Sequence, residues 1–416
     1  MSTATIRLGS CLEVLPTLPA DSVHTVVTSP PYWGLRSYLE NGDPAKAHEI
    51  GLERTPEEWV AKMVAVFREV RRVLRPDGTC WVNLGDCFYG PKNFSGDFAT
   101  TDGVFDRRKT RLGILSGVRN TTKHPVLKEK DLVGQPWRAA LALQADGWYL
   151  RSDIVWAKPN PMPESISDRP TRAHEYLFLL TKRARYFYDA EAIREPLTGP
   201  ASENTPEDHA RAFSRRRESA PAVRQGAAEP ARTYATDAQG RHEGLGRTFP
   251  YEADPARGKN KRSVWTIPPA PFSEAHFATF PPALVEPCVK AGTSAHGCCS
   301  SCGAPWVREI AVEYERSKRH GANSAMCRAG APRRDVGRPR LDRLTSTPGW
   351  SPSCRHAAPP VPCTVLDPFN GAGTTGVVAL RLGRDYVGVE LKREYAEMAR
   401  ARIHNDAPVL NRVETA

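Results

Sequence analysis

The stretch TVLDPFNGAGTTGVVALRLGRDYVGVE, residues 364–390, decides the fold. It predicts a short strand, a glycine-rich turn beginning at Asp367, a helix ended by Gly383, and a second strand ending at Glu390. Strands that alternate with helices in this way build parallel α/β sheets. Gly371 and Gly373 would allow the backbone to approach a ligand closely, as in dinucleotide-binding folds.

The acid at the end of the second strand indicates what kind of ligand this turn holds. Glu390 follows the glycines by about twenty residues, the spacing at which an acid accepts hydrogen bonds from both ribose hydroxyls. The turn lacks the Gly-Lys-Ser/Thr ending of a phosphate-binding loop, and Asp367 at its mouth would repel a pyrophosphate. A cationic nucleoside with an ammonium group, such as S-adenosylmethionine, is therefore favoured over a purely structural turn.

A second informative stretch, TSPPYWG at residues 28–34, follows the apolar run 23–27. Pro30 and Pro31 fix two φ angles and remove two N–H donors, so the loop presents carbonyl oxygens. The Ser29 hydroxyl and the Pro30 carbonyl can accept both hydrogens of an exocyclic amine on a nucleobase, while Tyr32 stacks on the ring. Since a neutral serine is a poor base, the acceleration must come mainly from alignment, an effect worth up to roughly 7–11 kcal/mol. Candidate catalytic residues are Ser29, Pro30, Pro31 and Tyr32.

The chain between these stretches continues the α/β pattern. A capping box at residues 55–58 predicts a helix whose apolar stripe faces the core. We also predict a turn at residues 75–78 before a strand over 79–84, a helix over 135–146 and strands over 149–157 and 176–181. A strand, turn and strand over 177–188 would place an antiparallel edge on the sheet.

The two stretches together resemble the amino-group DNA methyltransferases of the N4-cytosine/N6-adenine family. The order, with the base-binding motif first and the donor motif last, is similar to the permuted β class of that family. The resemblance covers most of residues 6–195 and 262–403. Supporting segments are Gly9 to Leu12, Asp131 to Arg138, Trp156 to Pro161 and His276 to Pro281.

This resemblance implies a Rossmann-like, S-adenosylmethionine-dependent methyltransferase fold with permuted motif order, acting on double-stranded DNA. Ser29 in place of an aspartate resembles the N4-cytosine branch, although adenine N6 remains open because both amines fit the same pair of acceptors. Ser10 departs from the family, in which an acid often follows the glycine. The implied donor-binding residues are Cys11, Asp367, Pro368, Phe369, Gly371, Gly373, Thr374, Glu390, His276 and Phe280.

Charge and composition point to a polyanionic partner. The 416 residues carry a net charge of +11, and neutralising phosphates releases counterions. Segments 90–130 and 196–262 are rich in Gly, Pro, Ser, Thr and charge, and the second contains the basic runs 215–217 and 259–262. They are either solvated loops or surfaces that face DNA, and we favour the second because base-modifying enzymes need phosphate contacts outside the pocket.

A third insertion, residues 295–360, has zinc-knuckle character. Cys299 and Cys302 form a Cys-x-x-Cys pair, and Cys354 with His356 can complete a tetrahedral zinc site. Four protein ligands leave no open position, so the metal would be structural. Cys298 and Cys363 are competing thiols.

These features predict four regions. Residues 1–195 form the catalytic part of the methyltransferase domain, and 196–262 form the target-recognition insertion. The donor-binding part comprises 263–294 and 361–404, and 295–360 is the zinc-binding insertion. No long apolar run or secretory signal is recognisable in the sequence, so a cytoplasmic location is expected, in a restriction-modification system with a possible cognate endonuclease.

Other activities fit the sequence less well. Cytosine-C5 methylation needs a cysteine nucleophile, and neither Pro287-Cys288 nor Pro362-Cys363 stands in a plausible catalytic loop. An RNA or protein-glutamine target could use a similar Pro-Pro-Tyr loop, but the basic insertions favour DNA. A non-catalytic, zinc-bearing DNA-binding module would not require Ser29, Tyr32, Asp367 and Glu390 together.

Overall fold

The structure is a computed structural model and describes residues 2–34, 37–40, 42–90, 124–196, 258–270, 279–316, 341–407 and 412–415. Two compact units are present. The larger comprises residues 1–193, 261–310 and 347–416, and the smaller comprises 194–260 and 311–346. Among the described residues, no helix is long and apolar enough to cross a membrane.

A nine-stranded mixed sheet forms the centre of the larger unit. Its spatial order is β15-β1-β14-β13-β2-β3-β5-β4-β8. Only β5 runs antiparallel to its neighbours in this sheet. The strands are β1 (Thr3–Leu8), β2 (Val23–Thr28), β3 (Leu74–Leu84), β4 (Tyr149–Ala157), β5 (His174–Thr181), β8 (Val264–Thr266), β13 (Thr364–Asp367), β14 (Asp385–Glu390) and β15 (Arg412–Thr415).

Smaller pairings involve the remaining strands. These are β6 (Glu195–Pro196) with β7 (Gly258–Lys259), β9 (Cys298–Cys299) with β12 (Pro360–Val361), and β10 (Trp306–Arg316) with β11 (Leu341–Pro352). The β9–β12 pair is antiparallel and joins two segments of the predicted zinc-binding insertion.

Helices cover both faces of the large sheet. They are α1 (Cys11–Val14), α2 (Pro56–Val73), α3 (Gln135–Ala145), α4 (Pro282–Gly292), α5 (Thr374–Arg381) and α6 (Arg393–Asp406). Helices α1 to α3 contribute to one buried apolar cluster, and α4 to α6 contribute to a second on the opposite face. The domain is therefore a three-layer α/β structure with a mostly parallel sheet, as predicted.

Local sequence accounts for the best-defined helix. Thr55 accepts a hydrogen bond from the Glu58 amide and caps α2, with proline at the first helical position. The predicted stripe faces the core, since Trp59, Met63 and Val66 are at most 1% exposed. Burial of such side chains is worth roughly 1.5–3 kcal/mol each, so packing fixes the helix more than capping does.

Two local predictions were wrong. Residues 75–78 were expected to form a turn before the strand, but β3 already begins at Leu74 and passes through them, with an irregular register against β2. Residues 182–188 form no second strand; the Phe187 amide donates to the carbonyl of Asp77 instead. The antiparallel feature of the sheet comes from β5 pairing with β3 and β4.

Candidate active site

A cavity of about 620 Å³ lies at the carboxyl edge of the large sheet. This volume is within the roughly 300–1,000 Å³ range of small-molecule sites. Residues following β1, β2, β13 and β14 line it, together with residues near the ends of β3 and β4. Both sequence motifs therefore contribute to one cavity, at the edge where open α/β sheets bind ligands.

A buried hydrogen bond joins the two motifs. Thr28 Oγ1, at the end of β2, donates to Asp367 Oδ1 over 2.6 Å. Asp367 Oδ2 accepts from the Thr375 hydroxyl at 2.9 Å. The Phe369 amide donates to Oδ1 at 3.1 Å. Residues 339 positions apart in the sequence are thus held together at adjacent strands.

Asp367 lies behind the cavity wall rather than on it. Its side chain is 1% exposed, and the wall is formed by the following residues Pro368 and Phe369. Burial raises the pKa of Asp367 to about 6, against the opposing effect of the hydrogen bonds from Thr28, Phe369 and Thr375. The preference of Asp367 for a cationic ligand stays a prediction; from behind the wall, the ionised carboxylate would act on a cation through its charge.

Glu390 does lie on the cavity wall, at the end of β14. Its Oε2 accepts from the Gly371 amide at 2.7 Å, and its Oε1 accepts from the Lys392 amide at 2.9 Å. Burial raises the pKa of Glu390 to about 7, and the nearby charge of Asp367 acts in the same direction. Since a carboxylate oxygen has two lone pairs, both oxygens can still accept a ribose hydroxyl.

The two glycines of the donor loop have different roles. Gly371 has a φ of +50° and lines the cavity, as expected for close approach to a ligand. Gly373 has a φ of +74° and is the N-cap residue of α5, and a Cβ there would lie 2.9 Å from Cβ of Ala399 in α6. Gly373 is therefore needed for helix packing, and it does not line the cavity.

The loop after β2 presents hydroxyl groups to the same cavity. Ser29 Oγ lies 3.3 Å from the Tyr32 hydroxyl and 3.3 Å from Asn83 Oδ1. Trp59 Nε1 donates to the Pro31 carbonyl at 3.0 Å and so fixes the second proline. The loop is thus held from beneath by α2, while Ser29, Pro30, Pro31 and Tyr32 line the cavity.

Tyr32 is held by a carboxylate that sequence reasoning missed. Its hydroxyl donates to Glu175 Oε2 at 2.9 Å, and Glu175 also pairs with Lys158. The Lys158 ammonium lies 4.4 Å from the centroid of the Trp156 ring. Burial and the charge of Glu175 hold the pKa of Tyr32 well above its usual range. The phenol therefore stays neutral and serves as a hydrogen-bond donor.

The other predicted residues fall into three groups. Cys11 and Phe280 line the cavity, and burial raises the pKa of the Cys11 thiol to about 12, so it stays neutral. His276 lies outside the described residues. Cys288 and Cys363 are fully buried, which agrees with the argument against a cysteine nucleophile for C5 methylation.

Comparison with known proteins identifies the family. A family model described as DNA methylase (N6_N4_Mtase) matches residues 23–299 and 363–401. The chain belongs to this family. It is 34% identical over 413 residues to the type II methyltransferase M.Cfr9I of Citrobacter freundii, covering 99% of this chain and 92% of the relative. It is 35% identical over 414 residues to M.XycI of Xanthomonas campestris pv. cyanopsidis, covering 99% and 92%.

Among solved structures, the PvuII DNA methyltransferase (cytosine-N4-specific) gives a TM-score of 0.48 at 14% identity, covering 100% of this chain and 95% of that one. The DNA modification methylase TTHA0409 of Thermus thermophilus, complexed with S-adenosyl-L-methionine, gives 0.44 at 20% identity, covering 100% and 99%.

Family membership confirms the main predictions from sequence. The chain is a site-specific DNA methyltransferase that transfers a methyl group from S-adenosylmethionine to the exocyclic amine of a base. The predicted α/β methyltransferase fold is confirmed as well.

Proposed function

We propose that the chain methylates the N4 amine of cytosine in a specific sequence of double-stranded DNA. The observation that carries the proposal is the Thr28–Asp367 hydrogen bond, because it supports placing an amine-binding loop and a donor-binding loop on one cavity. Ser29 at the head of the loop resembles the cytosine branch of the family. A site-specific methyltransferase of this kind acts on a base that has left the duplex stack, at a cost of a few kcal/mol.

Lys158 favours cytosine over adenine. The Watson–Crick edge of cytosine carries, beside its amine, two acceptors, N3 and O2, whereas that of adenine carries only N1. The Lys158 ammonium lines the cavity and has three donors, of which one is used by Glu175. Two donors therefore remain for a bound base, and cytosine offers one acceptor for each, whereas adenine offers one in all. Adenine would leave this cation less well matched.

In the proposed reaction the Ser29 hydroxyl and the Pro30 carbonyl accept the two amine hydrogens and direct the nitrogen lone pair toward the methyl group. Tyr32 stacks on the base, and Glu175 holds its hydroxyl. The nitrogen forms a bond to the methyl carbon while the carbon–sulfur bond breaks, and its electron pair stays on sulfur as S-adenosylhomocysteine leaves. The methylated nitrogen then loses its extra proton to water.

The donor occupies the other side of the cavity. Glu390 accepts the ribose hydroxyls, and Pro368, Phe369, Gly371 and Thr374 form the wall beside it, with Cys11 and Phe280 completing the pocket. The two carboxyl groups, Asp367 and Glu390, lie close enough for the charge of Asp367 to raise the pKa of Glu390. Their negative charge favours a sulfonium ligand over its neutral product, which assists product release.

DNA binding outside the pocket is assigned to the basic insertions. We infer that residues 196–262 recognise the target sequence, although most of them lie outside the described residues. The basic run 259–262 also has a structural role, because the Lys261 ammonium lies 4.7 Å from the Trp265 ring centroid. Since the relatives are type II methyltransferases, we place the chain in a restriction-modification system with a cognate endonuclease, in the cytoplasm where its DNA substrate lies.

The test is the chemical identity of the modified base. DNA from cells expressing the chain is digested to nucleosides and analysed by mass spectrometry, with a Tyr32→Ala strain as control. N4-methylcytosine in the wild-type sample alone supports the proposal. N6-methyladenine would reject the cytosine assignment, and an equal amount of methylated base in DNA from the Tyr32→Ala strain would reject the role of the loop.

A further inference from the structure

A cluster of three cysteines and one histidine lies at the other edge of the sheet. Cys299 and Cys302 belong to a turn that begins in β9, and Cys354 and His356 follow β11. Their ligand atoms all lie within 4.8 Å of one another. Zinc–sulfur bonds of about 2.3 Å in a tetrahedron place neighbouring sulfur atoms about 3.8 Å apart. To bind zinc, the distances between the four ligand atoms therefore need to shorten by about 1 Å or less.

The first pair is shaped by its own backbone. The Cys299 amide donates to the Ala304 carbonyl, and the Gly303 amide donates to the Cys299 carbonyl, both at 2.8 Å. These two hydrogen bonds fix the turn, and the sulfur atoms of Cys299 and Cys302 lie within 4.8 Å of each other.

Backbone pairing brings the second pair to the first. In the antiparallel β9–β12 bridge, Pro360 pairs with Cys299. The Ser300 amide donates to the Pro359 carbonyl at 3.2 Å, and the Ser353 hydroxyl donates to the Pro305 carbonyl at 2.5 Å. These contacts lie on both sides of the second pair, so the ligand positions are preorganised without depending on the metal.

The turn is anchored to the central strands. Arg75 Nη1, at the start of β3, donates to the Cys302 carbonyl at 2.8 Å. His24 Nε2, in β2, donates to the Gly303 carbonyl at 2.9 Å, and its Nδ1 accepts from the Thr364 amide of β13 at 3.0 Å. Gly303 has a φ of +69°, and a Cβ there would lie 2.6 Å from Arg75 Nη1. The turn is thus packed tightly against β3.

A neighbouring group of His24, Cys298 and Cys363 does not form an equivalent site. Their possible ligand atoms also lie within 4.8 Å of one another. However, both nitrogens of His24 are engaged, one as donor and one as acceptor. Two thiols remain, which is too few for a structural zinc site.

We propose that Cys299, Cys302, Cys354 and His356 bind one structural zinc ion. Three thiolates and a neutral imidazole give the occupied site a net charge of −1; the guanidinium of Arg75 beside the turn is itself paired with Asp77. All four positions are filled by protein, so the ion has no coordination site for substrate. The ion would link residues 299–302 to residues 354–356 and so close a loop of residues 303–353, which contains the β10–β11 pair. It would lie near the amino ends of β2 and β3, whereas Ser29 and Asn83 lie at their carboxyl ends.

Metal analysis of the full-length protein tests the proposal directly. Protein purified without added metal, or reconstituted with zinc under reducing conditions, should contain about one zinc per chain. Cys302→Ser and His356→Ala should lower this content at least several-fold, whereas the matched controls Cys298→Ala and Cys363→Ala should retain it. Wild-type protein that neither contains nor takes up zinc would overturn the proposal, as would loss of zinc only in the two controls.

Cobalt substitution covers the case in which a variant fails to fold. Wild-type protein reconstituted with Co²⁺ should show the intense visible bands of tetrahedral cobalt and a near-ultraviolet sulfur-to-cobalt charge-transfer band. His356→Cys should keep tetrahedral binding and strengthen the charge-transfer band, because a fourth thiolate is added. Weak octahedral bands in both proteins would contradict the ligand set.

A structural role makes a separate prediction about activity. Removing zinc with a chelator should lower the thermal unfolding midpoint, while methyl transfer per folded molecule at low temperature stays within about twofold. Complete loss of methyl transfer in protein that remains folded would contradict the structural assignment.

Discussion

The loop after β2 and the loop after β13 meet at one cavity but use different chemistry. The first presents neutral groups: the hydroxyls of Ser29 and Tyr32, near the amide of Asn83. The second relies on two carboxyl groups, Asp367 and Glu390, with pKa values raised by burial to about 6 and about 7. At neutral pH and above, the donor loop therefore carries a negative charge that the base loop lacks.

This difference follows from the ligands. A flipped base is neutral, so the base loop gains most by holding it in the geometry of transfer. The methyl donor is a cation, so a buried negative charge stabilises it. Changes in the base loop should therefore lower kcat, and changes in the donor loop should weaken donor binding.

The largest effect is expected for Tyr32→Ala. Loss of base stacking costs roughly 1–3 kcal/mol per base, and poorer alignment adds to this cost, so kcat should fall by about 10²-fold or more. Steady-state transfer of labelled methyl groups at saturating donor and DNA measures kcat, and donor affinity should stay within about twofold. Tyr149→Ala, at the start of β4 and 47% exposed, is the control. A larger effect on donor affinity than on kcat would contradict the division between the loops.

Glu390→Gln should produce the opposite pattern. Hydrogen bonds to a charged group contribute about 1.5–3 kcal/mol, so replacing the carboxylate should weaken S-adenosylmethionine binding by about 10- to 100-fold. Isothermal titration calorimetry measures this affinity, and the kcat of donor-saturated enzyme should change much less. Glu394→Gln, on the exposed face of the first turn of α6, is the matched control. Equal donor affinity for Glu390→Gln and wild type would remove Glu390 from the donor site.

The sequence predicts those features of the site that depend on neighbouring residues better than those that depend on contacts between distant elements. The strand, turn and helix around Asp367 were predicted well, because glycines and apolar periodicity are local signals. Meeting of the two motifs was also predictable, since both follow parallel strands. The position of the Asp367 side chain behind the cavity wall was not predictable, because it depends on hydroxyls from Thr28 and Thr375, which belong to two different elements.

Glu175 illustrates what the sequence could not provide. It lies near the start of β5, and the start of a strand would normally be assigned to the edge away from the cavity. Because β5 runs antiparallel, Glu175 pairs with Trp156 near the end of β4 and reaches the same edge as Tyr32. Only the strand direction reveals this, and the prediction for that region placed the antiparallel strand wrongly.

Glu175→Gln should have a moderate effect, confined to kcat. The amide still accepts the Tyr32 hydroxyl but no longer balances Lys158, so a loss of about 1–2 kcal/mol, or about tenfold in kcat, is expected. Lys158→Met alone should also lower kcat, because it removes the proposed donor to the base, but the double variant should lose less than the sum of the two single losses if the unbalanced ammonium contributes to the Glu175→Gln defect. Steady-state kinetics of the single and double variants measures this coupling, and strictly additive losses would show that the two residues act separately.

The finest test of the comparison is the pH dependence of donor binding. Glu390 and Asp367 are protonated as the pH falls through about 7 and about 6. Donor affinity should therefore drop by about tenfold or somewhat more from pH 8 to pH 6. Affinity for DNA that lacks the target site should not show this drop.

Stability of the free protein should respond in the opposite direction. A carboxyl group with a raised folded-state pKa binds more protons in the folded than in the unfolded state between its two pKa values. The contribution of Glu390 to stability thus declines as the pH rises from about 4.5 to about 7. Donor binding favours the ionised form, so the shift in unfolding midpoint caused by S-adenosylmethionine should be larger at pH 8 than at pH 6. In Glu390→Gln, the part of the pH dependence of donor binding that is centred near pH 7 should disappear, and the part that belongs to Asp367, near pH 6, should remain. An unchanged pH profile of donor binding would assign the titration to other groups.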